Sequence, residues 1–582
     1  MAWRTLVVFV VVSVCAAALM KGTGLKTRLR SLLFPRPHGA VEVWAVAEGT
    51  ADPAIRFEKV MLPQASGAAF TCVQVGPDRR LYAGADDGRI LRFPIHPDGT
   101  VGEAEVIASL QSAEGGKRLL TGFCFDPSST ADEPIVWASH GFYAFKDVPD
   151  FSGRISRLHG RNLGIVDDVI VGLPRSIRDH LNNQPTFGPD GALYFPQGSN
   201  TASGAPDPDW GMRPEHLLNA SILRLDVSNL RSGHPIDVRT RDADGGYDPF
   251  APDAPLTIYA TGIRNAYDLV WASDGRLYVP VNGSSCGGNT PAGSGVPGLI
   301  NLPCNEDDWL FRITPGKYYG HPNPAQGHFV LNGGNPGNRH DSSIVSQYPL
   351  GTRPDPDSQP ALFDFGPHIS ANGIIEYRGN AFGGKLDRKL IVCRFNVGSD
   401  LICLGLGPDG KANSVQTKIP GASNFVNPLD LAEDLKTGNL YVAEYGGKCI
   451  TLLRPLAAGA SPLVQDIGPV RLSAKAAKGK RLFETTCIAC HGPAGQGIAN
   501  LGPSLRDSRF VAQQPDQALV AFIKQGRLAD DPKSVMRLTM PPKGGNPSLD
   551  DAGLDEVVAF VRTIQDPQPA AGAERPTARA AD

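Results

Sequence analysis

Ten cysteines in 582 residues are too few for a disulfide scaffold. Charge of one sign is missing as well. Lys plus Arg number 56 against 59 Asp plus Glu, a net charge of −3, so there is no basic footprint for nucleic acid. Only one long apolar run exists, Leu6 to Met20, which excludes a polytopic membrane protein. No Gly-x-Gly-x-x-Gly follows a strand pattern upstream of Pro455, and no flavin or nicotinamide signature is present. What is abundant is turn chemistry, with 66 Gly and 50 Pro and no collagen-like period, alongside 41% hydrophobic residues. That combination reads as many short strands around an ample core.

The apolar run is flanked by Arg4 and Lys21, and Ala16-Ala17-Ala18 offers a small-residue cleavage site. Residues 1–30 therefore read as a signal peptide or as an uncleaved N-terminal membrane anchor. Lys26, Arg28 and Arg30 on the far side oppose clean export by the positive-inside rule. Cys15 lacks the preceding small residue of a lipoprotein signal.

Over residues 50–455 one pattern recurs: an Asp/Gly/Pro turn, an apolar pair, then an extended segment. Gly76-Pro77-Asp78 precedes Leu81-Tyr82, and Gly188-Pro189-Asp190-Gly191 precedes Leu193-Tyr194. Ser273-Asp274-Gly275 precedes Leu277-Tyr278, and Lys436-Thr437-Gly438 precedes Leu440-Tyr441. Weaker copies are Asp126-Pro127 before Ile135-Val136 and Leu386-Asp387 before Leu390-Ile391. Repetition on the scale of one four-stranded sheet marks a propeller, here of six blades, with a sandwich or barrel as the alternative. The extra length lies in Thr201 to His216, Arg239 to Pro255, Cys286 to Pro303 and Asn332 to Pro360, long loops of the kind that shape sites.

A linker at 456–472 leads to helical patterns over 473–566, and the Ala, Pro and Arg-rich segment 567–582 reads as disordered. Helices are expected over Ala474 to Glu484 with Ser473 as N-cap, over Pro515 to Gln525 ending at Gly526, and along the stripe Leu554, Val557, Val558, Val561 and Ile564. Ser548 and Asp551 suggest a capping box for the last. Cys487-Ile488-Ala489-Cys490-His491 is the c-type haem attachment pattern: two thiols for one porphyrin's vinyl groups and a histidine for the iron. Met540, stiffened by Pro541-Pro542, is the expected second iron ligand, ahead of Met536. From motif and layout the region resembles a class I cytochrome c, which implies haem attachment outside the cytoplasm and a periplasmic location. Among the other cysteines, Cys286 with Cys304 and Cys393 with Cys403 are candidate pairs, while Cys72, Cys124 and Cys449 read as buried hydrophobes.

The most chemical segments upstream are Arg178-Asp179-His180 and Thr261-Gly262-Ile263-Arg264-Asn265. A His beside Asp can be a general base, and a lone His is also a common structural residue. Together with Asp307-Asp308 before Tyr318-Tyr319-Gly320-His321-Pro322, and with Lys117-Arg118-Leu119-Leu120, these segments resemble the soluble aldose (glucose) and sorbosone dehydrogenases. The resemblance covers Arg56 to Pro455, about two-thirds of the chain. It implies a six-bladed propeller using pyrroloquinoline quinone (PQQ) and calcium. It further implies His180 as the base, Asp179 orienting it, Arg264 stabilising the quinone oxyanion, Asn265 facing the cofactor, and Gly283 and Ser284 offering backbone carbonyls to calcium.

One departure stands out. The family's late cationic clamp reads here as Arg394-Phe395-Asn396-Val397 and Asn427-Pro428-Leu429-Asp430, leaving Arg394, Lys117 and Arg118 to bind the PQQ carboxylates. The expectation is an all-β six-bladed propeller followed by a small all-α cytochrome c domain. It would be an exported dehydrogenase oxidising an aldose or related alcohol or aldehyde and passing electrons through its own haem to an external cytochrome or membrane oxidase. The alternatives are a calcium-binding propeller with hydrolase or carbohydrate-binding function, and an electron-transfer subunit whose propeller docks a catalytic chain.

Overall fold

The computed structural model describes residues 48–50, 52–230, 234–285, 287–302, 307–337, 348–456, 473–491, 495, 497, 502–506, 508–532, 534 and 539–565. The N-terminal apolar run, Cys286, Cys304, Met536, most of the linker and the C-terminal segment lie outside them. The chain divides into two compact units, one up to Val464 and one from Gln465.

The first unit contains six antiparallel sheets in chain order. Blade 1 comprises Phe70–Val75, Arg80–Ala85, Ile90–Pro94 and Glu105–Ile107, and blade 2 comprises Arg118–Phe125, Val136–Phe142, Gly153–His159 and Ile165–Leu173. Blade 3 comprises Thr186–Phe187, Leu193–Gln197, Ser221–Leu225 and Leu256–Thr261, and blade 4 comprises Val270–Trp271, Leu277–Val281, Asp307–Ile313 and Phe363–Pro367. Blade 5 holds Ala371–Glu376, Leu390–Arg394, Asp400–Leu406 and Ala412–Thr417. Blade 6 holds Pro428–Asp434, Asn439–Glu444 and Cys449–Pro455, and its outer strand is the early segment Phe57–Ser66, antiparallel to Cys449–Pro455. Short parallel strands Ile236–Asp237 and Glu48–Thr50 edge blades 2 and 5.

Each of the six sequence repeats falls between the first and second strands of one blade. The reason is local. Tyr82 donates its hydroxyl to Asp78 at 2.9 Å, Tyr194 to Asp190 at 2.9 Å and Tyr278 to Asp274 at 3.2 Å, so the turn carboxylate fastens the strand it introduces. Gly76 and Gly188 are required there, because a Cβ would lie 2.5 Å from the Tyr82 or Tyr194 ring. Apolar clusters fill the blade-to-blade interfaces. Cys72, Tyr82 and Ile90 meet Phe123, Val136 and Leu158 between blades 1 and 2, and equivalent clusters follow around the ring. Burial of apolar surface at ~25 cal/mol per Å² is the main force holding the blades together.

Polar staples join the innermost strands. Gln184 brackets Phe123 through both its amide groups, Asp268 accepts from Ile374 N at 2.9 Å, and Asp430 accepts from Val73 N at 2.8 Å. These fasten blade 3 to 2, 4 to 5 and 6 to 1. Cys393 and Cys403, considered as a disulfide, are instead free buried thiols. In the hairpin Cys393 faces Leu401 and Cys403 faces Ile391, making the cysteines diagonal neighbours, roughly 7–8 Å apart and beyond ordinary disulfide reach. Cys72, Cys124 and Cys449 are buried as expected.

In the second unit, helix Ala474–Thr486 is capped by Ser473, whose Oγ accepts from Ala476 N, and Asp516–Gln525 ends at Gly526. Helix Asp551–Thr563 buries Leu554, Val557, Val558 and Val561. Its cap is Asp550, which accepts from Gly553 N, and not the Ser548–Asp551 box; Ser548 spends its hydroxyl on Asn546. Gly479 lets helices Ala474–Thr486 and Asp551–Thr563 cross closely, since a Cβ would lie 1.8 Å from Glu556 O. Among the described residues, no helix is long and apolar enough to cross a membrane.

Candidate functional site

In every blade the innermost strand runs from the inter-blade connector to the first turn. Connectors and second-to-third-strand loops therefore gather at one end of the ring. His180, Arg264 and Asn265 sit on connectors, and Gly283 and Ser284 on a second-to-third-strand loop. That common end explains how residues so far apart in sequence converge.

His180 is buried, with Nδ1 3.1 Å from both the carbonyl and the hydroxyl oxygen of Ser199. A carbonyl can only accept, and the Ser199 hydroxyl gives its proton to Thr201 O at 2.9 Å. Nδ1 must then carry the ring proton, which leaves the lone pair on Nε2, the arrangement a general base needs. Burial first, and then the charge of Arg264, hold His180 well below the usual imidazole range, so the ring is neutral at pH 7. Asp179, expected to orient this ring, is exposed, and Ser199 performs that task.

Arg264 is buried, donating Nε to Ala202 O and Nη2 to Ser285 Oγ, both at 3.0 Å. Asn265 accepts from Asn183 Nδ2 at 3.1 Å. Gly283 gives its amide to the buried Asp308 at 2.9 Å, and Ser370 gives its amide to the same carboxylate at 2.6 Å. Burial pushes Asp308 up to about 6. Asn282, Gly283, Ser284, Arg264 and His321 border a small cavity of about 10 Å³, and Asn282 Oδ1 is buried there without a hydrogen bond. Oxygen donors of this kind suit a hard cation.

Several site residues were not foreseen. The Glu215 carboxylate accepts from Asn200 N, Thr201 N and the Thr201 hydroxyl, and His321 Nε2 lies 3.0 Å from it. Burial lowers the imidazole of His321, and burial with the charge of Arg264 lowers that of His368. Trp210, on the short helix Pro208–Trp210, packs on His180 with ring centroids 4.5 Å apart.

Of the three cations assigned to the cofactor carboxylates, Arg394 and Arg118 are engaged by other groups and Lys117 is exposed. Arg394 makes a two-pronged ion pair with Asp400, both contacts at 2.6 Å, inside its own hairpin. Arg118 gives Nε to His140 Nδ1 at 3.1 Å and Nη2 to Ser152 O at 3.0 Å, within a network that includes Glu114. Lys117 is exposed, its ammonium 5.1 Å from the Tyr143 ring centroid. Arg394 and Arg118 are thus engaged by other groups, Arg394 by Asp400 across its hairpin and Arg118 by His140, Ser152 and Glu114.

In the second unit Cys487, Cys490 and His491 share one helical turn, with His491 N bonded to Cys487 O at 3.0 Å. His491 Nδ1 lies 2.8 Å from Pro503 O. The carbonyl must accept, so the imidazole lone pair is on Nε2, free for iron. Gly502 permits this fold-back, because a Cβ would lie 2.6 Å from Cys490 O. Met540 is pinned by two backbone bonds with Arg527, both 2.8 Å. Two free thiols, an oriented histidine and a fixed methionine segment fit a covalently bound haem.

Residues 474–561 match the family described as cytochrome c oxidase, cbb3-type, subunit III. A curated relative is the FixP subunit of a cbb3-type cytochrome c oxidase of Bradyrhizobium diazoefficiens, 40% identical over 60 residues, 10% of this chain and 21% of that protein. The chain thus spans about a fifth of that relative's length. Among solved structures, a PQQ-bound aldose sugar dehydrogenase of Streptomyces coelicolor is 19% identical, covering 70% of this chain and 100% of its own, with a TM-score of 0.43. The PQQ domain of a pyranose dehydrogenase from Coprinopsis cinerea is 12% identical, covering 71% and 98%, with a TM-score of 0.46. The chain is a six-bladed propeller joined to a C-terminal cytochrome c domain.

Proposed function

We propose that the protein is an exported quinohaemoprotein dehydrogenase, working in the periplasm, that oxidises an aldose or a related alcohol or aldehyde. The observation that carries this reading is the tautomer of His180: a buried neutral imidazole with its lone pair on Nε2, in the same site as the guanidinium of Arg264. His180 Nε2 takes the hydroxyl proton of the substrate. Arg264 supplies fixed positive charge where oxyanion character develops, and Ser199 keeps the base in the right tautomer.

The residues fit the redox end of PQQ, with Arg264 and Asn265 as its polar contacts. Its carboxylate end finds Lys117 as the remaining assigned cation, since Arg394 and Arg118 are tied to partners of their own. PQQ, when bound, supplies a two-electron acceptor, and calcium at the Gly283 and Ser284 carbonyls would polarise it. Cys487 and Cys490 would hold the haem covalently, with His491 and Met540 as iron ligands, to deliver electrons singly to an external cytochrome or membrane oxidase. The engagement of Arg394 and Arg118 by other groups favours, as the second reading, an electron-transfer subunit.

The deciding experiment is the absorbance spectrum of the full chain with oxidised haem, after addition of calcium, PQQ and a panel of aldoses and alcohols. Haem reduction that requires PQQ and is lost in His180→Ala is the expected result. Failure of every substrate, with no PQQ binding, would transfer the assignment to the electron-transfer subunit.

A further inference from the structure

Trp210 gathers the charged groups of the site around one indole. Its ring lies 4.5 Å from the His180 ring at 52°, 5.2 Å from the Arg178 guanidinium carbon and 5.5 Å from that of Arg264. Trp210 is 4% exposed, and Asp207 fixes its position by accepting from Trp210 N at 3.0 Å. A desolvated indole face attracts cations through its quadrupole, and two cations already use this one.

His180 is placed where protonation is difficult. Arg264 reaches it from the connector before blade 4, His321 from the long loop after Asp307–Ile313, and Arg178 from its own connector. Each opposes a further positive charge. Against them stand two neutral groups, the Ser199 oxygens at Nδ1 and the indole. We propose that Trp210 is a positioning residue for His180, whose aromatic face stabilises the imidazolium formed when Nε2 takes up a proton. This rests on the dehydrogenase reading only for its use. There, the substrate O–H bond breaks and an N–H bond forms at Nε2, while the hydride on the same carbon leaves with its electron pair to an ortho-quinone acceptor. The indole then lowers the energy of the proton-transfer state without touching substrate, and it lets two arginines remain near a base that must become positive.

The test is an NMR titration of the His180 Cε1 signal in the full chain, without substrate or quinone, assigned by loss in His180→Gln. Biosynthetic replacement of tryptophan by mono-, di- and trifluorotryptophan removes the quadrupole stepwise while keeping the ring's shape. Each step is expected to lower the His180 pKa, by about 0.5–1 pH unit in total, a three- to tenfold rise in its acid dissociation constant. Trp210→Phe should fall between parent and trifluoro protein, and the acidic limb of haem reduction against pH, where the base gains its proton and activity is lost, should shift with it. A titration flat across the fluorinated series, or a rise in the His180 pKa, overturns the proposal. Because the titration needs neither quinone nor sugar, its failure leaves the dehydrogenase reading standing, and failed haem reduction leaves the titration valid.

Discussion

Replacing Asp430 by Asn should make the propeller more stable at alkaline pH and leave it nearly unchanged in acid. Asp430 and Asp268 are 2% and 6% exposed, and each accepts a backbone amide from a neighbouring blade. Burial raises both carboxyls, and the charge of Asp430 raises Asp268 further. Asp430 is pushed up to about 7 from an ordinary 3.8. A carboxyl with a raised folded value keeps its proton in the folded chain after the unfolded chain has lost it. Stability therefore falls as pH climbs from about 4 to about 7 and levels off above that. The gap between 3.8 and about 7, at ~1.36 kcal/mol per pH unit, sets a ceiling of about 4 kcal/mol. Asn retains an oxygen for Val73 N and carries no charge. Asp430→Asn should thus exceed the parent by about 2–4 kcal/mol at pH 8, with the advantage fading by pH 5. Urea unfolding followed by tryptophan fluorescence reads this directly, because all six tryptophans precede Leu456. A less stable variant at pH 8, or an equal difference at both pH values, would refute the reasoning.

Arg394→Met should cost about 3 kcal/mol in propeller stability by stranding buried Asp400, yet leave the affinity for PQQ unaltered in equilibrium binding; a fall in affinity would return Arg394 to the cofactor. Met540→Ala should keep haem attached after denaturation but lower its midpoint potential, since methionine ligation raises it; an unchanged potential would exclude Met540 as ligand. Ser199→Ala, which removes one of two Nδ1 partners and leaves the carbonyl, should slow haem reduction by roughly fivefold, in line with one hydrogen bond of about 1 kcal/mol. No change would show that the carbonyl alone orients His180.

The propeller was legible because its turns recur as local units, most fully in blades 1 and 3, where a carboxylate, a glycine under a ring and a tyrosine returning to the carboxylate lie within one short segment. The haem residues were equally local, five consecutive positions with fixed chemistry. The rest of the site was not, because its members are brought together by ring closure. Ser199 has no distinguishing neighbour in sequence, and Trp210 lies in a loop whose composition signals a binding role without saying which residue serves it. His321 lies in the segment Tyr318-Tyr319-Gly320-His321-Pro322, but its value depends on Glu215, from another blade. Adjacency also misled: Asp179 beside His180 suggested a pair, but the chain bends there, with Ser176 Oγ accepting from Arg178 N and His180 N, which leaves Asp179 exposed and His180 buried. Arg394 shows a related limit, since sequence displays a cation but not the Asp400 carboxylate that pairs with it across the hairpin.

The clasp that closes the ring makes order of synthesis a physical constraint. Apart from the short edge strand Glu48–Thr50, Phe57–Ser66 leaves the ribosome first among the propeller strands, and its partner Cys449–Pro455 leaves last. Through that interval it is an unpaired strand, the kind of segment that recruits wrong neighbours. Its sequence carries the protection such a wait demands. Lys59 and Glu58 place charge along it, Pro63 removes an amide from the ladder, and the register shifts between Met61 and Ser66. A strand tuned to pair late is also weakly committed until the ring is complete, so blade 6 should be the last to form and the first to open.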